Sequence, residues 1–293
     1  MRENPPTHKK NYTMPFTLSH PVVSIPLRRY LGDFGILSAL FIGAMTPDFV
    51  YMLPADFAYY HRLEGHSLMG LFKVCLPMGI LFFYLYHLLM APVIVAIFPK
   101  PLRNRLPDHL LLGRCPPSNN THALILSILI GAATHIIFDA FTHENALTSY
   151  FTWISTPLLT LDGHPIMPFR VIQHGGTIIG LVLIGWWIFK WYKATAAKEV
   201  VAWQPSKLVR ISTLLLIIII PGIAGLIVTY QNMPSSDVLF GLHSLQHGIK
   251  FGIVGGGAVF IITTAVIGLF YQLLLYRDNK NSTPLKQSTV STS

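Results

Sequence analysis

Six apolar segments dominate the chain, at about residues 35–53, 71–98, 123–141, 177–192, 211–230 and 251–276, with the charged residues collected between them. A helix needs about 20 apolar residues to cross the hydrocarbon core, with about 17–25 tolerated, so each segment reads as a membrane span. The fourth is short for that role. The second is long, and Pro77 and Pro92 within it predict a tilt or a bend. The fifth and sixth contain no acid or base. The pattern predicts an all-α fold, a polytopic helical membrane protein of about six transmembrane spans. Residues 14–278 form its membrane domain. Residues 1–13 read as an N-terminal extension, and the Ser/Thr/Lys/Asn-rich residues 279–293 as a disordered tail.

The basic residues set an orientation. Arg2, Lys9, Lys10, Arg28 and Arg29 precede the first segment; Arg62 and Lys73 follow it. Next come Lys100, Arg103, Arg105 and Arg114, then Arg170 alone. Lys190, Lys193, Lys198, Lys207 and Arg210 follow, then Lys250 alone, then Arg277, Lys280 and Lys286. Alternate stretches thus hold seventeen of the 21 basic residues, and the others hold four. By the positive-inside rule the seventeen are cytoplasmic, which puts both termini inside by default.

Composition agrees. The chain is 52% hydrophobic and 11% charged, with a mean hydropathy of +0.52, values that exclude an ordinary soluble domain. The net charge of +9 does not argue for nucleic acid, because the basic residues lie in short clusters between apolar runs; the partner they imply is the lipid bilayer. Cys75 and Cys115, the two cysteines, make neither a disulfide framework nor a thiolate zinc site.

Acids and imidazoles collect on the other side. Asp48 closes the first segment, and His61, Glu64 and His66 follow it. Asp139 and His143 close the third, with His135 a turn deeper. His164, His174, His243 and His247 lie in the later loops of that side, so eight of the thirteen histidines share one face. His135, Asp139 and His143 are spaced four apart, and a helix puts all three on one stripe. Ionisable groups inside an apolar run are costly and mark function, and two nitrogens with a carboxylate can ligate a metal. In Gly43-Ala44-Met45-Thr46-Pro47-Asp48, Pro47 predicts a kink that turns Asp48 inward. In His61-Arg62-Leu63-Glu64-Gly65-His66-Ser67, Ser67 reads as the N-cap of the second span, and Arg62 suits a phosphate or an acid. His20, before Pro21 at a predicted helix start, falls on the wrong side of the default topology. A short N-terminal membrane hairpin, with residues 22–27 descending to the Arg28–Arg29 pair and the first apolar segment returning, brings His20 toward Asp48. His8, His87, His109 and His122 fall elsewhere and carry no assigned role.

These residues carry a resemblance. Met14-Pro15-Phe16-Thr17-Leu18-Ser19-His20-Pro21, the run from Gly43 through Pro47-Asp48-Phe49 to Tyr51, His66-Ser67 and His135 through His143 resemble a bacterial family of multi-pass membrane proteins known only as a domain of unknown function. More distantly, His20, Pro47-Asp48, His61 to Ser67 and His135 to Asp139 are similar to membrane-bound metal-dependent hydrolases, and their order is weakly similar to ligand order in zinc-dependent phospholipase C enzymes, whose N-terminal Trp ligand and soluble helical build this chain lacks. The resemblance implies a protein of the bacterial inner membrane, and the basic-residue count puts its C-terminus in the cytoplasm.

Three functions are open at this point. The first is a hydrolase with one or two divalent metals, Zn²⁺ by the donor set, held by His20, Asp48, His66, His135 and Asp139. Arg62, His61 and His143 are then its catalytic candidates, and a phosphoester or lipid-linked compound the substrate. The second is a metal or proton transporter, which needs polar residues through the middle of several spans. The third is a scaffold without chemistry.

Overall fold

The computed structural model describes residues 17–53, 64–117, 120–143, 148, 150–161, 164–198, 205–233 and 242–281. The fold is helical. Among the described residues five helices are long and apolar enough to cross a membrane: α4 (Leu71–Ile97), α5 (Thr121–Thr142), α6 (Pro168–Ala194), α7 (Lys207–Gln231) and the stretch Gly248–Leu274 of α8 (Leu242–Asn281). Among the described residues the sheet structure is one small antiparallel pair, β1 (Leu159–Leu161) and β2 (His164–Ile166), with Leu159 opposite Ile166. The protein is a multi-pass membrane protein in contact with a lipid bilayer. Rows of large apolar side chains stay exposed on α6, α7 and α8, such as Ile178, Val182, Leu226 and Ile262, the surface that lipid solvates.

The first apolar segment behaves differently from the other five. A 3-10 turn (Thr17–Val23) and α1 (Ser24–Leu31) run one way along the bundle, Gly32 turns the chain at a positive φ of 53°, and α2 (Leu37–Gly43) runs back. Gly suits that turn because its missing Cβ removes the left-handed penalty. The tip is pinned to α5: Ser127 Oγ donates to Phe34 O and accepts from Ile36 N, both at 3.0 Å. The residues at the open end of the hairpin meet α5 at His135 and Asp139, eight residues and about 12 Å farther along its axis. The hairpin alternative for His20 is therefore the arrangement present. Thr17 lies at the His135 end, in place of the default layout with both termini at the basic end.

Close packing makes this possible. A Cβ on Gly43 would run into the Ile128 carbonyl, and one on Gly131 into the Leu40 carbonyl. Two glycines thus let α2 and α5 approach backbone to backbone. Around them Ile36, Ala39, Phe83, Ala123, Leu124 and Ile128 form a buried apolar core.

Prolines shape the rest. Pro77 and Pro92 do not break α4; each follows a π-helical turn, Leu71–Cys75 and Tyr86–Met90, which widens the helix where a proline ring would strike the preceding carbonyl. Pro92 cannot donate to Leu88 O, and Gln272 Nε2 from α8 donates to it instead at 2.7 Å. At the basic end, Arg210 Nη2 donates to Phe98 O (2.8 Å) and Arg105 Nε to Thr195 O (2.9 Å), cations placed on helix C-termini where carbonyls lack partners. Replacing Gln272 by Leu leaves Leu88 O without its donor in an apolar setting. The expected loss is about 1–3 kcal/mol, read as a lower thermal midpoint in detergent; an unchanged midpoint would show that this carbonyl has another donor.

Candidate metal centre

A short helix, α3 (Thr46–Phe49), follows the end of α2, and the backbone between them explains how Asp48 and His135 are placed. Pro47 has no N–H for Gly43 O, so Thr46 Oγ1 donates to that carbonyl at 2.7 Å. Asp48 N turns back to Met45 O at 3.2 Å. Ala44 O is left facing α5, and His135 Nδ1 donates to it at 2.7 Å. The predicted kink at Pro47 is thus a full break, and Asp48 is buried behind it.

The other ligand candidates arrive from three further elements. His20 is buried on the 3-10 turn, which packs on α6 where Gly180 lies against Ser19 O. His66 sits in the turn before α4. Ser67 Oγ accepts from Gly70 N (2.9 Å) and donates to Glu64 O (2.8 Å); it closes the turn ahead of α4, whose N-cap is Gly70 and not Ser67 as expected. Gly65 lies against Pro47 O, where an added Cβ would come within 3.2 Å, so the turn docks on the α2–α3 break. Asp139 lies one turn beyond His135 on α5, and His143 caps that helix.

Five residues named from the sequence therefore meet. His135 Nε2 lies 3.2 Å from Asp139 Oδ2 and 3.7 Å from Asp48 Oδ1. His66 Nε2 lies 3.5 Å and 3.4 Å from the same two oxygens. His20 Nε2 lies 3.9 Å from Asp139 Oδ1 and its ring stacks on His135. In two trios, His20–His135–Asp139 and Asp48–His66–His135, one donor atom from each residue lies within 4.8 Å of the others. Two donors on one tetrahedral zinc at about 2.0–2.2 Å stand roughly 3.3 Å apart, so the cluster has the dimensions of a metal centre.

The protonation pattern fits the same group. His135 Nδ1 donates to Ala44 O, which leaves Nε2 as the outward nitrogen of the ring. That nitrogen is fully buried with no hydrogen-bond donor, and it faces two carboxylates. A metal ion, or a proton on Nε2, settles the ring between these two carboxylates. A backbone carbonyl fixing the tautomer of a histidine is also how metal-ligating imidazoles are oriented. Burial opposes charge on His66, but its contacts with Asp139 and Asp48 outweigh that and push the imidazole up to about 10.

The catalytic candidates fare differently. His143 Nδ1 is 3.6 Å from Asp139 Oδ1, and its Nε2 is 2.9 Å from Gln173 Nε2. His61 and Arg62 lie outside the described residues. His174 is exposed on α6. Gln173, its neighbour in sequence, is fully buried and holds His143; the one signal for it was an amide in the first turns of an apolar helix. His87 also exceeds its expectation, being buried with Nε2 2.9 Å from Ser38 Oγ.

The family described as Domain of unknown function (DUF4184) matches residues 14–276, nearly the whole chain. The chain belongs to the DUF4184 family. Its description assigns no activity, and neither a curated protein nor a solved structure matches the chain. All five ligand candidates, His143 and Gln173 fall inside the DUF4184 match. Metal ligands must give up their protons. Below a pKa of about 10 His66 holds one, so ion binding at neutral pH should expel it. Affinity should weaken about tenfold per pH unit on acidification for each proton displaced. Calorimetry of Zn²⁺ binding in buffers of different ionisation enthalpy counts those protons, and a count of zero would remove His66 from the centre.

Proposed function

We propose that this protein is a membrane-embedded, metal-dependent hydrolase whose centre lies at the extracytoplasmic face of a bacterial cytoplasmic membrane, with the C-terminus cytoplasmic. The observation that carries the reading is the gathering of His20, Asp48, His66, His135 and Asp139 from separate elements, with the buried His135 Nε2 facing both carboxylates. His20, Asp48, His66, His135 and Asp139 would hold the metal, Zn²⁺ by their nitrogen and oxygen donors. A bound divalent ion supplies hydroxide near neutral pH and a positive charge for a phosphoryl oxygen.

The orientation rests on the basic residues. Among the described residues Lys73, Arg170 and Lys250 are the basic side chains at the site end, and Arg28, Arg29, Arg103, Arg105 and Arg210 are among those at the opposite end. The bias still puts the site outside.

The chain's own groups support hydrolysis of a phosphoester or lipid-linked substrate. His143 is part-exposed beside the cluster and Gln173 fixes its ring; it is placed to deliver a proton to the leaving oxygen. Arg62 remains the candidate for phosphoryl charge. Leu68, Met69 and Phe72 ahead of and within the first turn of α4, and Tyr150 and Trp153, are exposed apolar and aromatic side chains at the site end. Such side chains suit the membrane interface, the depth of a lipid headgroup.

The test is metal content and turnover of the detergent-purified protein. Wild type should carry zinc or manganese and hydrolyse a short-chain phospholipid or a chromogenic phosphodiester. His135→Ala and Asp139→Ala should lose the metal and at least about 100-fold in turnover. His143→Ala should keep metal yet lose about 10²–10⁴-fold if it is the proton donor. A His135→Ala protein with full metal content sinks the assignment. Metal without hydrolysis, together with ion flux into proteoliposomes, would make the protein a transporter. Unchanged phenotype in every ligand variant would make it a scaffold.

A further inference from the structure

A cavity of about 690 Å³ opens at the basic end of the bundle, beside the turn of the hairpin and away from the cluster. Its size falls within the roughly 300–1,000 Å³ of small-molecule sites. Three elements wall it: the hairpin between Arg28 and Ser38, α4 at Tyr86 and His87, and the segment from Pro107 to Pro117 that leads to α5. His87 is 1% exposed, and its Nε2 lies 2.9 Å from Ser38 Oγ. Its Nδ1 is buried without a hydrogen-bond partner, which is costly and calls for an explanation. His87 also stands in the π-helical turn Tyr86–Met90, and such turns concentrate at functional sites.

The lining describes a ligand. Tyr86, His87, His109, Pro107, Pro116 and Pro117 are all rings, and their flat faces pack best on a flat body. Leu37 and Leu110 add an apolar wall. Charge is balanced at the rim, where exposed Arg28 and Asp33 both stand, and Arg28 Nη1 already donates to Gly32 O at 2.9 Å. The His109 ring lies 5.8 Å from that of His87. Its acidic neighbour Asp108 is held by Lys198 at 2.8 Å, and burial keeps the His109 imidazole below its ordinary value although Asp108 raises it. A cavity with no surplus charge disfavours a charged head, which would lose its hydration without a counter-ion.

We propose that this cavity binds a neutral, flat-headed amphiphile, a membrane-soluble quinone or its quinol, with one ring oxygen on His87 Nδ1. A quinone carbonyl accepts when Nδ1 carries the imidazole proton, and a quinol hydroxyl donates when Nε2 carries it. Ser38 serves both cases, because its hydroxyl can donate to Nε2 or accept from it. Leu37 and Leu110 suit the start of the apolar tail. The site is separate from the metal cluster and stands whether or not the hydrolase reading does.

Calorimetric titration of the full-length protein in detergent with decylubiquinone and, under reductant, decylubiquinol tests this. Saturable binding of one molecule per chain is expected for at least one form. It should be about tenfold weaker in His87→Phe, which keeps a ring and loses the nitrogens, and absent from Leu110→Trp, which fills the cavity. Preference for the quinone puts the proton on Nδ1 and preference for the quinol puts it on Nε2; either supports the site. No saturable binding of either form overturns the proposal. Undiminished binding in both variants places the ligand elsewhere and overturns it too. Displacement of decylubiquinone by an equal concentration of dodecyl phosphate or dioctanoylglycerol overturns the neutral ring as the recognised head. Should a variant fail to fold, that competition on the wild-type protein still decides.

Discussion

The hydrogen bond from His135 Nδ1 to the Ala44 carbonyl organises the polar end of this molecule. It exists because Pro47 ends α2 early. A continuous helix would have used Ala44 O internally, and Gly43 O would have bonded residue 47. The break frees two carbonyls inside an apolar setting, where each unsatisfied group is costly. Thr46 takes one and His135 the other. In settling a backbone problem, the second bond fixes the ring's orientation and aims its other nitrogen at Asp48 and Asp139.

That bond depends in turn on helices that nearly touch. Gly43 against Ile128 and Gly131 against Leu40 set the distance between α2 and α5, and only backbone contact brings Ala44 O within reach of a ring on the neighbouring helix. The same logic recurs at the other end of α4, where Pro92 releases Leu88 O and Gln272 recovers it. Proline in these helices creates acceptors at defined heights, and side chains from other elements answer them. Tertiary contacts are thereby tied to particular registers in a bundle whose apolar faces alone would slide.

Much of the site was legible because helix periodicity and membrane cost act on short, local strings. The fourfold spacing of His135, Asp139 and His143, and Asp48 beside Pro47, need no knowledge of the fold. His20 was harder, since only a returning hairpin could bring it across. Hydropathy alone made residues 35–53 resemble the other five segments, because an apolar limb that turns back buries the same residue types as one that crosses; Pro47 was visible, but the depth of the break was not. Gln173 escaped because its role is defined by His143, thirty residues earlier, and no spacing rule links positions on different helices. His87 escaped for a similar reason, its partner Ser38 lying on the hairpin.

The hairpin has a consequence for how the molecule is made. Its limbs are the 3-10 turn with α1 and the broken segment of α2 and α3, and neither is a continuous span of the length that holds a helix in a bilayer unaided. It leaves the ribosome before α5, its resting place, which is synthesised some eighty residues later. The N-terminal segment must therefore wait for its dock. His20 and Asp48 ride on the two limbs, so a chain caught before docking lacks both at once. The site is complete only when the hairpin is seated on α5.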